Sequence, residues 1–386
     1  MRHRSVQVPP VLEPLRHIAA LDGVRGLAVM LVLVYHLFWS NVDSPSRFMH
    51  LVLQLRGSGW IGVDIFFVLS GFLITGILFD TLTDPHFFRN FYLRRILRIF
   101  PLFYLVVLVL AIAIHPADRP QQNQLLALFA YLQNTSLYWR SEGTRVLAYS
   151  GHLWSLAVEE QFYFVWPLLV FFIRSRRALL WVTAFLFAAT AMLRVLLLAH
   201  GFGLGSIYHL AFTRADSLLA GAWLALAVRG PLRSRVLSFA PYSLGLSLLG
   251  CIGLAAWTGN FAWQSNRAIA LYGYSLLAML GASLIACSLD PASAPARMMG
   301  LSFFRFFGRY SYGIYVYHLI LFPLILEAIR PWLAAHVESR MLLHLALFTL
   351  TIAATVALAV FSFHVFEVRF LGLKRWFNYR APGVAR

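Results

Sequence analysis

The stretch LDGVRGLAVMLVLVYH, residues 21–36, decides which solvent this chain folds in. From Leu27 it is apolar as far as Trp39, and a helix needs about 20 mainly apolar residues to cross a bilayer. Two ionisable side chains belong to this stretch, Arg25 just ahead of the run and His36 within it. In lipid each costs on the order of 3 kcal/mol or more, so each needs a reason to be there. They are eleven residues apart, which at about 100° per residue puts them within about 20° of one helix face and about 16 Å apart along the axis. They share a stripe but cannot touch. Asp22, three residues before Arg25, can cap the helix or pair with the guanidinium. Taken alone, the stripe reads equally as a snorkelling arginine and a histidine bonded to a neighbouring helix. The basic residues ahead of it (Arg2, Arg4, Arg16) resemble the start of a secretory signal. No small-residue cleavage pattern follows Trp39, so a retained first span is expected.

The remainder of the 386 residues extends the same reading. Hydrophobic residues make up 60% and charged residues 12%, where a soluble domain carries about a quarter charged residues. A water-soluble fold is excluded, and no stretch is left from which a soluble domain could be cut. The expectation is an all-α integral membrane protein of about ten spans, near 21–40, 60–79, 100–114, 153–173, 178–199, 207–228, 236–257, 268–289, 310–329 and 341–365. A shorter apolar piece at 125–133 reads as re-entrant or interfacial. One domain over 1–386 follows, with a cytoplasmic segment 1–20, a bundle 21–365 and a cytoplasmic tail 366–386. With both termini in the cytoplasm, cytoplasmic segments hold 21 of the 32 Lys and Arg, outer segments 8 and span interiors 3. That bias is the positive-inside pattern, and it accounts for most of the +17 net charge without any nucleic-acid partner. Cys251 and Cys287 lie in apolar runs and give no disulfide framework. The 13 histidines show no ligand spacing, so no metal is expected. Nucleotide loops, HExxH, CxxC and GxSxG motifs are missing from the sequence.

Polar residues enter other spans too. In GSGWIGVDIFFVLSGFLIT (57–75), Asp64 lies inside the outer boundary and Ser70-Gly71 lies mid-span, where small residues let helices approach. In FYLRRILRIFP (91–101), Arg94, Arg95 and Arg98 can share a helix face. Such a cluster suits phosphates, although alone it reads as ordinary positive-inside charge. In HLWSLAVEEQFYFVWP (152–167), Glu159 and Glu160 point about 100° apart, so they form no acid pair with each other. Trp154, Tyr163 and their aromatic neighbours resemble an interfacial belt. Arg214 and Asp216 point to different sides of the sixth span, so each needs a partner on another helix. A tyrosine ladder through Tyr315 leads to His318, and Glu367 follows the last span as an interfacial residue.

These segments, in this order, resemble the membrane acyltransferase-3 family of O-acetyltransferases and macrolide acyltransferases. The matching pieces are the Arg-x10-His stripe of Arg25 and His36, GVDIFFVLSGFLIT, RRILRIFP, HLWSLAVEEQFY, TRADSLLAGAWLA and GRYSYGIYVYH. Several family members append an extracellular hydrolase-like domain, and the sequence resembles the form without one. The resemblance implies acyl transfer, usually of acetyl, from cytoplasmic acyl-CoA to a hydroxyl of a cell-surface glycan, glycolipid or macrolide-like acceptor in the bacterial inner membrane. Under it His36 is the general base, or alternatively an acyl-carrying nucleophile. Arg25 orients the donor or stabilises charge on the thioester oxygen. Arg94, Arg95 and Arg98 hold the CoA phosphates. Asp64, Ser70, Trp154, Glu159, Glu160, Tyr163, Arg214, Asp216, Tyr315 and His318 line the cavity.

The competing reading is a multi-span transporter or flippase, whose ionisable residues form a substrate path instead of a catalytic site. No inverted repeat is visible in the sequence, and release of free CoA thiol by purified protein separates the two.

Overall fold

A computed structural model of the chain describes residues 18–38, 56–116, 118–259 and 266–379. Most of the predicted segment 1–20, the end of the first predicted span (residues 39 and 40), Arg47 and the last seven residues of the predicted tail lie outside the described residues.

Among the described residues, ten helices are long and apolar enough to cross a membrane. The main helices are α1 (Ala19–Leu37), α2 (Ile61–Asp80), α3 (Phe87–Ile114), α4 (Arg119–Phe129), α5 (Trp154–Ile173), α6 (Arg176–Ala199), α7 (Ala211–Ala227), α8 (Arg233–Thr258), α9 (Tyr274–Ser288), α10 (Ser302–His336) and α11 (Arg340–Ser362). All but α4 belong to spans. Prolines stand inside α3, α5, α8 and α10, as transmembrane helices tolerate when neighbours satisfy the freed carbonyls.

Several boundaries differ from expectation, and the ninth span, placed at 310–329, runs as one helix over Ser302–His336. The third span starts at Phe87 and includes Arg94, Arg95 and Arg98, half-buried arginines that turn toward a cavity or the C-terminal segment, which hydropathy cannot register. The piece near 125–133 is covered by α4, whose N-cap Asp118 accepts from the Gln121 amide. Short helices Ser136–Trp139 and Arg145–Ser150 follow, packed around Gln124, which donates to the Tyr138 and Ser141 carbonyls. The last span does not stop at 365. A π-helical turn, Phe363–Glu367, continues through Val368–Gly372 into a 3₁₀ turn, Leu373–Trp376. That wider turn carries Glu367 inside the bundle beside Gly313, so it is buried and not interfacial.

Two helix pairs set the frame: α1 against α10, and α2 against α7. Both are seated through glycine. A Cβ on Gly71 would run into the Leu218 carbonyl oxygen, and one on Gly221 into that of Val68. Gly26 and Gly308 serve α1 and α10 in the same way, against Phe304 and Asp22 carbonyls. Without a hydrophobic force between helices in lipid, such close backbone contact is what holds a pair. Gly71→Leu is therefore expected to prevent stable accumulation, seen as loss of the monodisperse species after detergent extraction. Gly245→Leu, where an added Cβ meets nothing within 4 Å, should be tolerated.

Candidate active site

Helices α1, α2, α3, α5 and α10 enclose a cavity in the middle of the bundle. Arg25 comes from α1, Phe66, Ser70 and Ile74 from α2, and Arg95 and Arg98 from α3. Ser155, Glu159 and Tyr163 come from α5, and Ser311, Tyr312 and Tyr315 from α10. Along α2 the lining runs from Val63 to Ile74, roughly 16 Å of helix axis.

The cations gather on one wall. Arg25 pairs with Asp22 at 3.6 Å, one turn earlier, and Asp22 does not cap α1. Arg95 and Arg98 line the cavity, and among the described residues neither guanidinium forms an ion pair or a side-chain hydrogen bond. Such forks, lining a cavity with no ion pair to hold them, can accept a phosphate. Arg94 points elsewhere. Its Nη1 donates to the carbonyls of Lys374 and Phe377 at 3.2 and 3.3 Å and to Asn378 Oδ1 at 3.3 Å. It holds the C-terminal segment and does not line the cavity.

On the opposite wall Ser70 Oγ and Tyr163 Oη share a 2.5 Å hydrogen bond, and Glu159 faces both hydroxyls and Arg25. Tyr315 contributes the third hydroxyl. It donates to the His152 carbonyl at 2.7 Å and accepts from Ser155 Oγ at 2.6 Å.

Behind Tyr315 stand three imidazoles. The Tyr315 ring is 5.5 Å from those of His318 and His152, and the His318 ring lies 5.0 Å from His36 and 4.6 Å from His152. His36 itself is not a wall of the cavity. Hydrogen-bond pairing fixes the tautomers in this stack. His318 Nδ1 is 2.6 Å from the Tyr315 carbonyl, which only accepts, so that nitrogen bears the proton. His318 Nε2 is then a lone pair, 3.2 Å from His36 Nδ1. His36 Nδ1, also 3.1 Å from the Val32 carbonyl, must be the donor. This leaves His36 Nε2 as a lone pair with His318 supporting the far side of the ring.

The other predicted residues are not brought to this cavity. Asp64 accepts from Arg214 Nη2 at 2.6 Å and from Ser217 Oγ at 2.8 Å, fully buried. The Arg214 guanidinium covers the Tyr274 ring at 3.9 Å. Asp216 pairs with Arg194 of α6 at 2.8 Å, and Ser275 bridges the two. Arg214 and Asp216 thus do find separate partners, in a buried network joining α2, α6, α7 and α9. Trp154 packs on Tyr208 and His209. Glu160 is not on the lining; its buried Oε1 has no hydrogen-bond partner and the side chain stands near Tyr131 and Tyr312.

His152, Ser155 and Tyr312 were missed. His152 opens the stretch that carries Glu159, but one histidine ahead of a span has no periodic partner in sequence. Its place depends on α10 crossing the start of α5. Among the described residues no group of three His, Cys, Asp or Glu is arranged to hold a metal ion.

A family model described as an acyltransferase domain matches residues 18–364. The chain belongs to the membrane acyltransferase-3 family. It is similar to the peptidoglycan O-acetyltransferase OatA of Listeria monocytogenes, 31% identical over 375 residues, covering 91% of this chain and 55% of the relative. The putative peptidoglycan O-acetyltransferase YrhL of Bacillus subtilis is 31% identical over 326 residues, covering 78% of this chain and 48% of that protein. The O-acetyltransferase OatA of Staphylococcus aureus is 26% identical over 325 residues, 78% of this chain and 50% of its own. The chain spans about half the length of these curated relatives. No solved structure matches it. With its apolar helices, membership makes this acyltransferase-family protein a multi-pass bacterial membrane protein.

Proposed function

We propose that this protein moves an acyl group, acetyl foremost, from acyl-CoA at the cytoplasmic face to a hydroxyl of a cell-envelope glycan. The observation that carries the reading is a pair of guanidiniums, Arg95 and Arg98, that form no ion pair among the described residues and line a cavity whose wall also includes Tyr315, in ring contact with His318. The relatives' names supply the acceptor class, peptidoglycan among them. The excess of Lys and Arg in the loops shared with both termini supports the orientation.

In this reading Arg95 and Arg98 hold the phosphates of CoA. Arg25 lies about 16 Å along α1 from His36, too far to touch the reacting carbonyl, so it orients the donor. The pantetheine arm spans the cavity and brings the thioester toward Tyr315. His36 Nε2 takes the proton from the acceptor hydroxyl as its oxygen attacks the thioester carbon. The C–S bond breaks, the acyl group stays on oxygen, and the CoA thiolate takes the proton from the imidazolium. The Ser155 and Tyr315 hydroxyls lie at this end of the cavity, but their protons are committed to Tyr315 Oη and the His152 carbonyl, so one of these hydrogen bonds turns before either hydroxyl meets the carbonyl oxygen as it gains charge.

The test is purified protein in vesicles given acetyl-CoA and a muropeptide acceptor. Stoichiometric free thiol and an acceptor heavier by one acetyl group are expected, and CoA retained intact would overturn the reading. Arg95→Gln and Arg98→Gln should each raise KM for acetyl-CoA about tenfold or more, since a charge-assisted bond is worth about 1.5–3 kcal/mol. Titration of initial rates against donor concentration checks this.

A further inference from the structure

The segment after the last span is tied down. Arg94 Nη1 holds the Lys374 and Phe377 carbonyls, Asn90 Nδ2 donates to the Asn378 carbonyl at 3.2 Å, and the Arg94 guanidinium lies over the Tyr379 ring at 5.3 Å. Trp376, exposed, stacks under Arg375 at 5.6 Å, the pairing of an aromatic and a cation expected at a membrane surface. These contacts fix a strap, residues 373–379, against α3 at the level of the cavity's arginines. The strap carries two cations that form no ion pair among the described residues, exposed Arg375 over the Trp376 ring and half-buried Lys374. Arg25 has Asp22, Arg95 faces Glu159, and Glu367 faces Arg98. The charged groups that act on Lys374 are Arg98, Arg95 and Arg94, all cations, and among the described residues it makes no ion pair. Like charges held together at a membrane surface favour a bound polyanion.

We propose that Lys374, presented by this clamped strap, is a further phosphate-binding cation of the donor site, and that it selects donors carrying the nucleotide half of coenzyme A over short pantetheine thioesters. The inference rests on the donor reading above. A multiply phosphorylated donor needs more positive charge than two guanidiniums offer, and an ammonium on a short turn supplies a point charge at the rim.

Lys374→Met, assayed in phosphatidylcholine vesicles, is expected to raise KM for acetyl-CoA about tenfold with kcat unchanged and to leave KM for acetyl-pantetheine alone. Lys374→Arg should restore the acetyl-CoA value. Arg94→Ala, which frees the strap and keeps Lys374, should also raise KM for acetyl-CoA selectively. Equal effects on both donors, or none on either, would overturn the assignment. So would a defect confined to vesicles containing phosphatidylglycerol, because the lysine would then be holding a lipid phosphate. Wild-type protein that turns over acetyl-CoA beside an unaffected Lys374→Met sinks this inference alone. Wild-type protein that never consumes acetyl-CoA sinks the donor reading, and this inference with it.

Discussion

His36→Ala is expected to lower acyl transfer about a thousandfold while the protein reaches the membrane in normal amount. A positioned general base contributes roughly 10²–10⁴-fold, and His36 has the lone pair for it. Its Nδ1 proton is committed to the Val32 carbonyl and His318 Nε2, which leaves Nε2 to meet the acceptor. His36 is half-buried at the end of α1, so truncation removes little packing. The check is the rate of acetyl-muropeptide formation normalised to protein in the membrane, and full turnover would take His36 out of the chemistry. His318→Phe offers a graded companion. It keeps the ring between Tyr315 and His36 but removes the acceptor for the Nδ1 proton, so kcat should fall about ten- to a hundredfold with donor KM unchanged. An equal change in both constants would mean a packing role.

The largest effect on stability is expected from Arg214→Met. The change leaves Asp64 fully buried with Ser217 as its remaining hydrogen-bond donor. Breaking one partner of a buried pair costs about 3–5 kcal/mol. The Tyr274 ring also loses the cation over its face. Unfolding in detergent, followed by exposure of buried cysteine to a thiol reagent, should shift to clearly lower temperature. Cys287 is buried and free. The double change Asp64→Leu with Arg214→Met removes both charges and should recover most of the loss, because a buried pair replaced by apolar groups of similar size is often neutral. A single mutant as stable as wild type would show that the pair contributes little.

Much of the fold was legible because hydrocarbon thickness imposes a length that apolar runs must match. That is how α1, α2 and α5 through α11 were found. The rule failed at α3, where Arg89, Arg94, Arg95 and Arg98 mask the first thirteen residues of the helix. The candidate site was legible in part for the same reason. Any ionisable side chain inside a span is suspect, which singled out Arg25, Glu159 and His318, with the tyrosines of α10 noted as a ladder leading to the last. What sequence could not separate was a charge that pairs inside the bundle from one that faces a cavity. Asp64 and Glu159 look alike in sequence, yet Arg214 meets the first and a cavity opens beside the second. Arg94 and Arg95 are neighbours whose directions differ by one helical step, and only the strap reveals where Arg94 goes.

The glycine seats bear on how two substrates from opposite sides could meet. Backbones that touch at Gly71 and Gly221, and again at Gly26 and Gly308, cannot slide without first parting, which leaves no room for rocking one half of the shell against the other. Between the arginine-walled chamber and the imidazole stack there remains one aromatic side chain, Tyr315, held by two hydroxyl hydrogen bonds. Under the proposed reading, delivery across this point would ask for a rearrangement of one buried phenol and the loss of its two hydrogen bonds, and not for a sliding of the scaffold.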